Sequence, residues 1–134
     1  MNYWLIKSEP FVYSFDQLIT DGKTDWTGVR NYQARNNLKA MAKGDICFYY
    51  HSNEGMEIVG TAKVNKTFFQ DPTTDDKNWV AVEVVPHKKF KKTITLQTFK
   101  EDKRFAEMVL VKNSRLSVQP VTAEEAKLIL ELAK

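Results

Sequence analysis

The sequence is poor in the residues that most chemistry requires. It holds one cysteine, Cys47. That excludes an internal disulfide and fits a reducing compartment. It holds two histidines, His51 and His87. No spacing of His, Cys, Asp or Glu reads as a metal site, and no metal or other cofactor is implied. Its five glycines form no Walker or dinucleotide pattern. No apolar run approaches the roughly 20 residues needed to span a bilayer, so no membrane partner is expected. The opening "MNYWLIKSEP" enters a strand-like pattern directly and lacks the basic region and cleavage site of a leader. A cytoplasmic location follows as the expectation, or a nuclear one in a eukaryote. There is no repeat, low-complexity tract or linker, so residues 1–134 read as one domain, with a monomer as the expected state.

The residues present are those of a globular chain with one ordinary core. The net charge is +3, and placement matters more than the total. Arg30, Arg35, Lys39 and Lys43 form one basic cluster. "HKKFKK", His87 to Lys92, forms another and reads as a solvated hairpin tip.

The pattern along the chain is mixed. "NYWLIKSE" is a strand by its aromatic and β-branched content. Ser14 with Gln17 marks a short helix that Gly22 ends. Asn31 to Ala42 reads as a helix with Ala34, Leu38 and Met41 inward, stopped by Gly44. Arg35, Lys39 and Lys43 fall on another face at i, i+4 and i+8. "DICFYYHS" is a strand apolar on both faces: Ile46, Phe48 and Tyr50 on one, Cys47, Tyr49 and His51 on the other. Gly60 within "MEIVGTAKVN" predicts a bulge or a close backbone approach. "NWVAVEVVP" is a strand with Val80, Val82 and Val84 inward. "TLQTFKEDKRFAEM" reads as helical, packing through Leu96, Phe99, Phe105 and Met108. "SRLSVQPV" is a strand ended by Pro120. Thr122 with Glu125 then caps a final helix, packed through Ala126, Ile129, Leu130 and Ala133. The sum is an α+β fold, with mostly antiparallel strands curled into a small β-barrel and helices outside.

Catalysis finds little support. Cys47 and His51 share a strand face, but four residues at about 3.3 Å each separate them by about 13 Å, too far for a thiolate–imidazole pair. Cys47 reads as a small buried hydrophobe. His51 is either a hydrogen-bonded strand-end residue or a ligand contact. Recognition of a planar ring finds more. Such a ring needs an apolar wall, polar groups at its edge, and cations if a phosphate backbone follows it. Trp26, before Thr27 and Gly28, serves as the wall or as core. Asn31, Gln33 and Asn36 bring amides, and Asn31 is also placed to cap its helix. Arg30 and Arg35 suit phosphate contacts or surface ion pairs. Lys7, Ser8 and Glu9 end the first strand, at the mouth of the expected barrel. Ser117 and Gln119 stand on a neighbouring strand, where Gln119 is also explained as a polar edge position.

Six motifs, "YWLIKSEP", "DWTGVRNYQARNNLKAMAKGD", "FYYHSN", "IVGTAKV", "QDP" and "RLSVQPV", occur in this order from Tyr3 to Val121. Together they resemble the EVE domain. The resemblance implies a PUA-like β-barrel flanked by helices, and non-catalytic binding of nucleic acid through a modified base, such as a modified cytosine or adenine. It implies a base pocket of Lys7, Ser8, Glu9, Trp26, Thr27, Asn31, Tyr49, His51, Ser117 and Gln119. The expected phosphate contacts are Arg30, Arg35, Asn36 and Lys39. Extruding a base costs least from single-stranded or flexible DNA or RNA, which are therefore the expected partners. The competing readings are an enzyme acting on a modified nucleotide, with Glu9 as acid or base, and a small-molecule or protein-interaction module. One departure stands out. Relatives are expected to carry a longer, aromatic-rich insertion after the "DP" motif, whereas Asp71-Pro72 here reaches Trp79 through one short segment.

Overall fold

The first and last strands meet inside one sheet. A computed structural model describes residues 1–134. Strand β1 (Tyr3–Ser8) lies between β3 (Ile46–His51), to which it is parallel, and β6 (Val118–Val121), to which it is antiparallel. Strands β4 (Glu57–Gln70) and β5 (Val80–Thr95) continue the sheet, and β2 (Thr24–Asp25) adds to the far side of β5. The order is β2-β5-β4-β3-β1-β6, six strands in all. β2 and β6 are free edges, so the sheet is open. It is the expected mixed α+β fold without the hydrogen-bonded closure of a complete barrel. No helix is long and apolar enough to cross a membrane.

Helices cover both faces. One face carries α1 (Phe15–Asp21) and α2 (Tyr32–Ala40) over Trp4, Ile6, Cys47, Tyr49, Ala62 and the valines at 80, 82 and 84. The other carries α3 (Leu96–Glu101), α4 (Val109–Lys112) and α5 (Ala123–Leu132) over Leu5, Phe48, Tyr50, Ile58, Phe90 and Ile94. β1 is buried on both sides over Trp4–Ile6 and β3 over Ile46–Tyr50, which accounts for their consecutive apolar residues. The helices begin where the sequence signals them. Ser14 accepts a hydrogen bond from the Gln17 N–H at 3.0 Å, and Gly22 ends α1 in the left-handed region at φ 78°. Asn31 Oδ1 caps α2 through the Ala34 N–H at 2.9 Å. Thr122 and Glu125 form the reciprocal capping box of α5.

The two long strands bend the sheet. On β4, Ile58 packs under α3–α5, whereas Ala62 and Val64 pack under α1 and α2. Strict alternation would place all three on one face. Opposite β3, Tyr49 and Tyr50 pair with Gly60 and Ile58, so β4 carries one extra residue there. Opposite β5 the register shifts between Ile58 and Gly60 and again between Thr61 and Ala62, and an extra residue re-aims the side chains beyond it. Gly60 is needed there. A Cβ on it would lie 2.5 Å from the Lys88 carbonyl oxygen and 2.7 Å from the Phe15 ring.

Three expectations are corrected. His87–Lys92 is the middle of β5, with Phe90 buried, not a hairpin tip, because the bulges let β5 continue across the bend. The stretch after Thr95 is not one helix. α3 stops at Glu101, and Asp102 accepts the Arg104 N–H at 3.0 Å to start a separate 3-10 turn over Lys103–Phe105. Pro120 does not end β6. That strand pairs on one side only, so a missing N–H is tolerated on the other.

Candidate binding site

Where β1 ends, the chain leaves the sheet through "SEPFVYS", and the loop between β2 and α2 rises beside it. Between them lies a cavity of about 550 Å³, within the usual range for small-ligand sites. Lys7, Ser8, Val12 and Tyr13 line it from the first segment. Thr24 to Asn31 line it from the second, and Ser117 closes a third side.

Trp26 is the largest wall. Its backbone N–H donates to the Val82 carbonyl at 2.7 Å, which extends the β2–β5 pairing. It remains 8 % exposed while lining the cavity. Behind it, Tyr49 meets the indole edge-to-face at 5.4 Å. Tyr49 is fully buried, and its hydroxyl donates to the Tyr13 carbonyl at 2.8 Å. Trp26 therefore lines the cavity and belongs to the core cluster at once.

Asp71 pins the second segment. It is fully buried and collects donors from two directions. Oδ2 accepts the Gly28 N–H at 2.8 Å and the Arg30 guanidinium at 2.9 Å. Oδ1 accepts the Thr73 N–H at 2.7 Å and the Thr73 hydroxyl at 2.6 Å. Burial alone would raise its pKa. The hydrogen bonds from Thr73, Arg30 and Gly28 outweigh it and hold the carboxyl well below the usual carboxylate range. Gly28 sits at φ 80°, the left-handed region that favours glycine. The "DP" and "TGVR" motifs, more than forty residues apart, are therefore one unit.

A ladder of aromatic and cationic groups continues outward from this unit. Arg30 lies 5.7 Å from the Trp79 ring centroid, Trp79 stacks on Tyr32 at 5.0 Å, and Arg35 lies 5.0 Å from Tyr32. Arg35 also donates to the Asn78 carbonyl at 3.2 Å and to Asn36 Oδ1 at 2.8 Å. The short segment after Asp71-Pro72 thus braces the start of α2. Lys39 lies farther along α2, its ammonium 5.5 Å from the Phe68 ring.

The structure brings together Lys7, Ser8, Trp26, Thr27, Arg30, Asn31 and Ser117 around the cavity. The remaining sequence candidates lie elsewhere. Glu9 accepts a hydrogen bond from Asn53 outside the cavity. His51 Nε2 accepts the Phe15 N–H at 3.1 Å, so it serves the start of α1, and burial lowers its pKa. Gln119 is fully buried; its amide donates to the Leu116 carbonyl at 2.8 Å, and its Oε1 is unpartnered. It supports the 113–117 loop from behind. Arg35, Asn36 and Lys39 stand on α2 outside the lining.

Lys7 is distinctive electrostatically. Burial pushes its amine down to about 8, while Nζ donates to the Ser114 carbonyl at 2.6 Å. Sequence reasoning missed Val12, Tyr13, Thr24, Asp25 and the Asp71 pin. The signals available were the adjacency of Tyr13 to the Ser14 cap and the short distance from Asp71 to Thr73.

Three relatives place the chain. Thymocyte nuclear protein 1 of mouse is 36 % identical, with 98 % of this chain and 73 % of that protein covered. The match spans 165 positions against the 134 residues here, so the relative carries additional residues within the matched region. The NMR structure of a protein from Rhodopseudomonas palustris is 48 % identical with a TM-score of 0.94, over 99 % of this chain and 93 % of that one. The crystal structure of human THYN1 in complex with 5-methylcytosine-containing DNA is 33 % identical with a TM-score of 0.93, over 100 % and 98 % of the two chains. The EVE domain family matches residues 2–132, and the chain belongs to that family.

Proposed function

We propose that this protein binds nucleic acid and reads one modified base, with 5-methylcytosine in DNA as the leading ligand, and that it does so without catalysis. The observation that carries the reading is the cavity itself. It has room for a nucleobase, its wall is an indole, and its rim is tied down by Asp71. The 5-methylcytosine-containing DNA bound by human THYN1, which shares the fold across the whole chain, supports the choice of ligand.

In this reading one base leaves its stack and packs against Trp26. Ser8 and Thr27 offer hydroxyls to its edge. Asn31 offers its Nδ2 donor, since its Oδ1 is held by the Ala34 N–H. Lys7 places positive charge at the cavity wall. Arg35 and Lys39 on α2 hold the adjoining phosphates, while Arg30, already paired with Asp71, orders the rim. Pre-organised donors lose little freedom on binding, which favours affinity.

The test is fluorescence anisotropy with short labelled oligomers, each carrying one cytosine, 5-methylcytosine, adenine or N6-methyladenine, in DNA and RNA, at two salt concentrations. Tighter binding to one modified base, with a salt-dependent component from phosphate contacts, is the expected result. Binding that responds to salt but not to the base reduces the protein to a basic surface. Turnover of a modified base, seen as a changed product by mass spectrometry, overturns the non-catalytic reading.

A further inference from the structure

Beside the cavity mouth stands an exposed aromatic side chain that no part of the pocket uses. Phe11 is 71 % exposed and Val12 69 % exposed. Phe11 belongs to neither hydrophobic cluster. The other exposed aromatic near the mouth, Tyr32, is already engaged, stacked on Trp79 with Arg35 5.0 Å from its ring centroid.

The turn that carries Phe11 is built to hold still. The Glu9 carbonyl accepts the N–H groups of Val12 and Tyr13, both at 2.9 Å. Pro10 occupies the second position of this turn, where its fixed φ is already suitable. On one side the Glu9 carboxylate is held by Asn53. On the other, the Tyr13 hydroxyl donates to Asp21 at 2.8 Å and the Tyr13 carbonyl accepts from Tyr49. Both flanks of the turn, Ser8 on one side and Val12 and Tyr13 on the other, line the cavity. A rigid, apolar tip thus projects from the rim of the pocket.

We propose that Phe11 is a wedge that enters the base stack of duplex DNA as the neighbouring base leaves for the cavity. This rests on the reading of the cavity as a base pocket. Extruding a base from a duplex leaves a gap and loses stacking on both sides. Apolar side chains that insert between base steps restore part of that stacking and hold the duplex open. A single strand has no such gap, so the wedge has nothing to offset there. Phe11 therefore extends the substrate range from single strands to duplexes.

The experiment compares Phe11→Ala and Phe11→Trp with the parent on a duplex bearing one 5-methylcytosine and on the same strand alone. Phe11→Ala is expected to weaken duplex binding about tenfold or more, the scale of one lost base–aromatic stack. Single-strand binding should change by less than about twofold, and Phe11→Trp should restore the duplex. A 2-aminopurine next to the target base should brighten on binding to the parent and less so with Phe11→Ala. Since Phe11 lies outside both clusters, the variant should melt with the parent. Equal losses on duplex and single strand, or none on either, with base preference intact, overturn the wedge alone. A parent with no preference for the modified base in either form overturns the pocket reading and the wedge with it.

Discussion

Two buried aspartates stand near the two ends of α2 and use the same chemistry to different ends. Asp45, just beyond the C-terminal end, is 2 % exposed and accepts from the Asn2 N–H at 3.1 Å, the Trp4 indole N–H at 3.0 Å and the Ala42 N–H at 3.0 Å. Asp71, near the N-terminal end, accepts from Gly28, Arg30 and Thr73. Burial works against ionisation in both, and hydrogen bonds overcome it in both. The difference lies in what each one holds. Asp45 joins the start of β1 to the turn into β3 and does not line the cavity. Asp71 holds a loop and an arginine that line the cavity. A buried carboxylate therefore serves the fold at one end of the helix and the site at the other.

Asp45→Ala should give the largest change. It strands the buried Trp4 indole N–H and frees the part-buried Asn2 and Ala42 N–H groups, at roughly 1–3 kcal/mol for a donor left unmatched and buried. A loss of about 3–4 kcal/mol is expected, seen as a fall of about 10 °C or more in Tm. Oligomer affinity of the folded fraction should not move; an affinity loss matching that of Asp71→Ala would erase the distinction between the two residues. Asp71→Ala should cost less stability, about 2–3 kcal/mol, because its loop can admit water to the freed donors. It should weaken binding about tenfold or more as Gly28 and Arg30 lose their anchor. Full affinity in that variant would show that the rim orders itself without the carboxylate.

Two titrations sharpen the comparison on a smaller scale. Lys7 loses its proton near pH 8, because burial depresses its pKa from the ordinary 10.5. Binding of an anionic oligomer should weaken as pH rises from about 7 to 9, and Lys7→Met should flatten that profile. A profile unchanged by the substitution would remove Lys7 from the contact. Smaller still is the effect of His51, which must be neutral to accept the Phe15 N–H. Its folded pKa lies below the ordinary 6.5. The unfolded chain therefore takes up the proton first as pH falls, and stability declines below about pH 6.5. Burial and the nearby Lys63 and Lys88 depress His87 in the same direction. His51→Gln should make the decline in Tm shallower; an identical slope would assign the effect to His87 or to the carboxylates.

Much of this architecture can be read from local pattern. The caps at Ser14, Asn31 and Thr122 depend only on residues within one turn, so spacing reveals them. β1 and β3 show themselves by apolar residues on both faces. Gly60 is marked by its place inside a strand. What fails is the bend. Val84 and Phe90 keep an even spacing while the strand changes faces between them, so alternation carries no information about which core each enters. The same holds at the site. Ser8, Trp26, Thr27 and Asn31 stand out by type and by neighbouring motif. Tyr49 and His51 look equally suitable, yet one hydroxyl closes on Tyr13 and one imidazole on Phe15. The union of Arg30 with Asp71 joins distant segments, and no periodicity encodes a pairing at that range.

The placement of β1 has a consequence for how the protein is made. Tyr3 pairs with Val121 and Ile6 with Val118, and Lys7 meets Ser117 through a backbone hydrogen bond of 3.0 Å. The first strand of the sheet thus waits for the last one before its outer edge is satisfied. Pairings of such long sequence separation slow folding. On the ribosome, β3, β4 and β5 can assemble while β1 has only half of its partners. The cavity side formed by Lys7 and Ser117 then closes after Val118–Val121 has emerged, so a chain interrupted before that point has most of its sheet and an incomplete site.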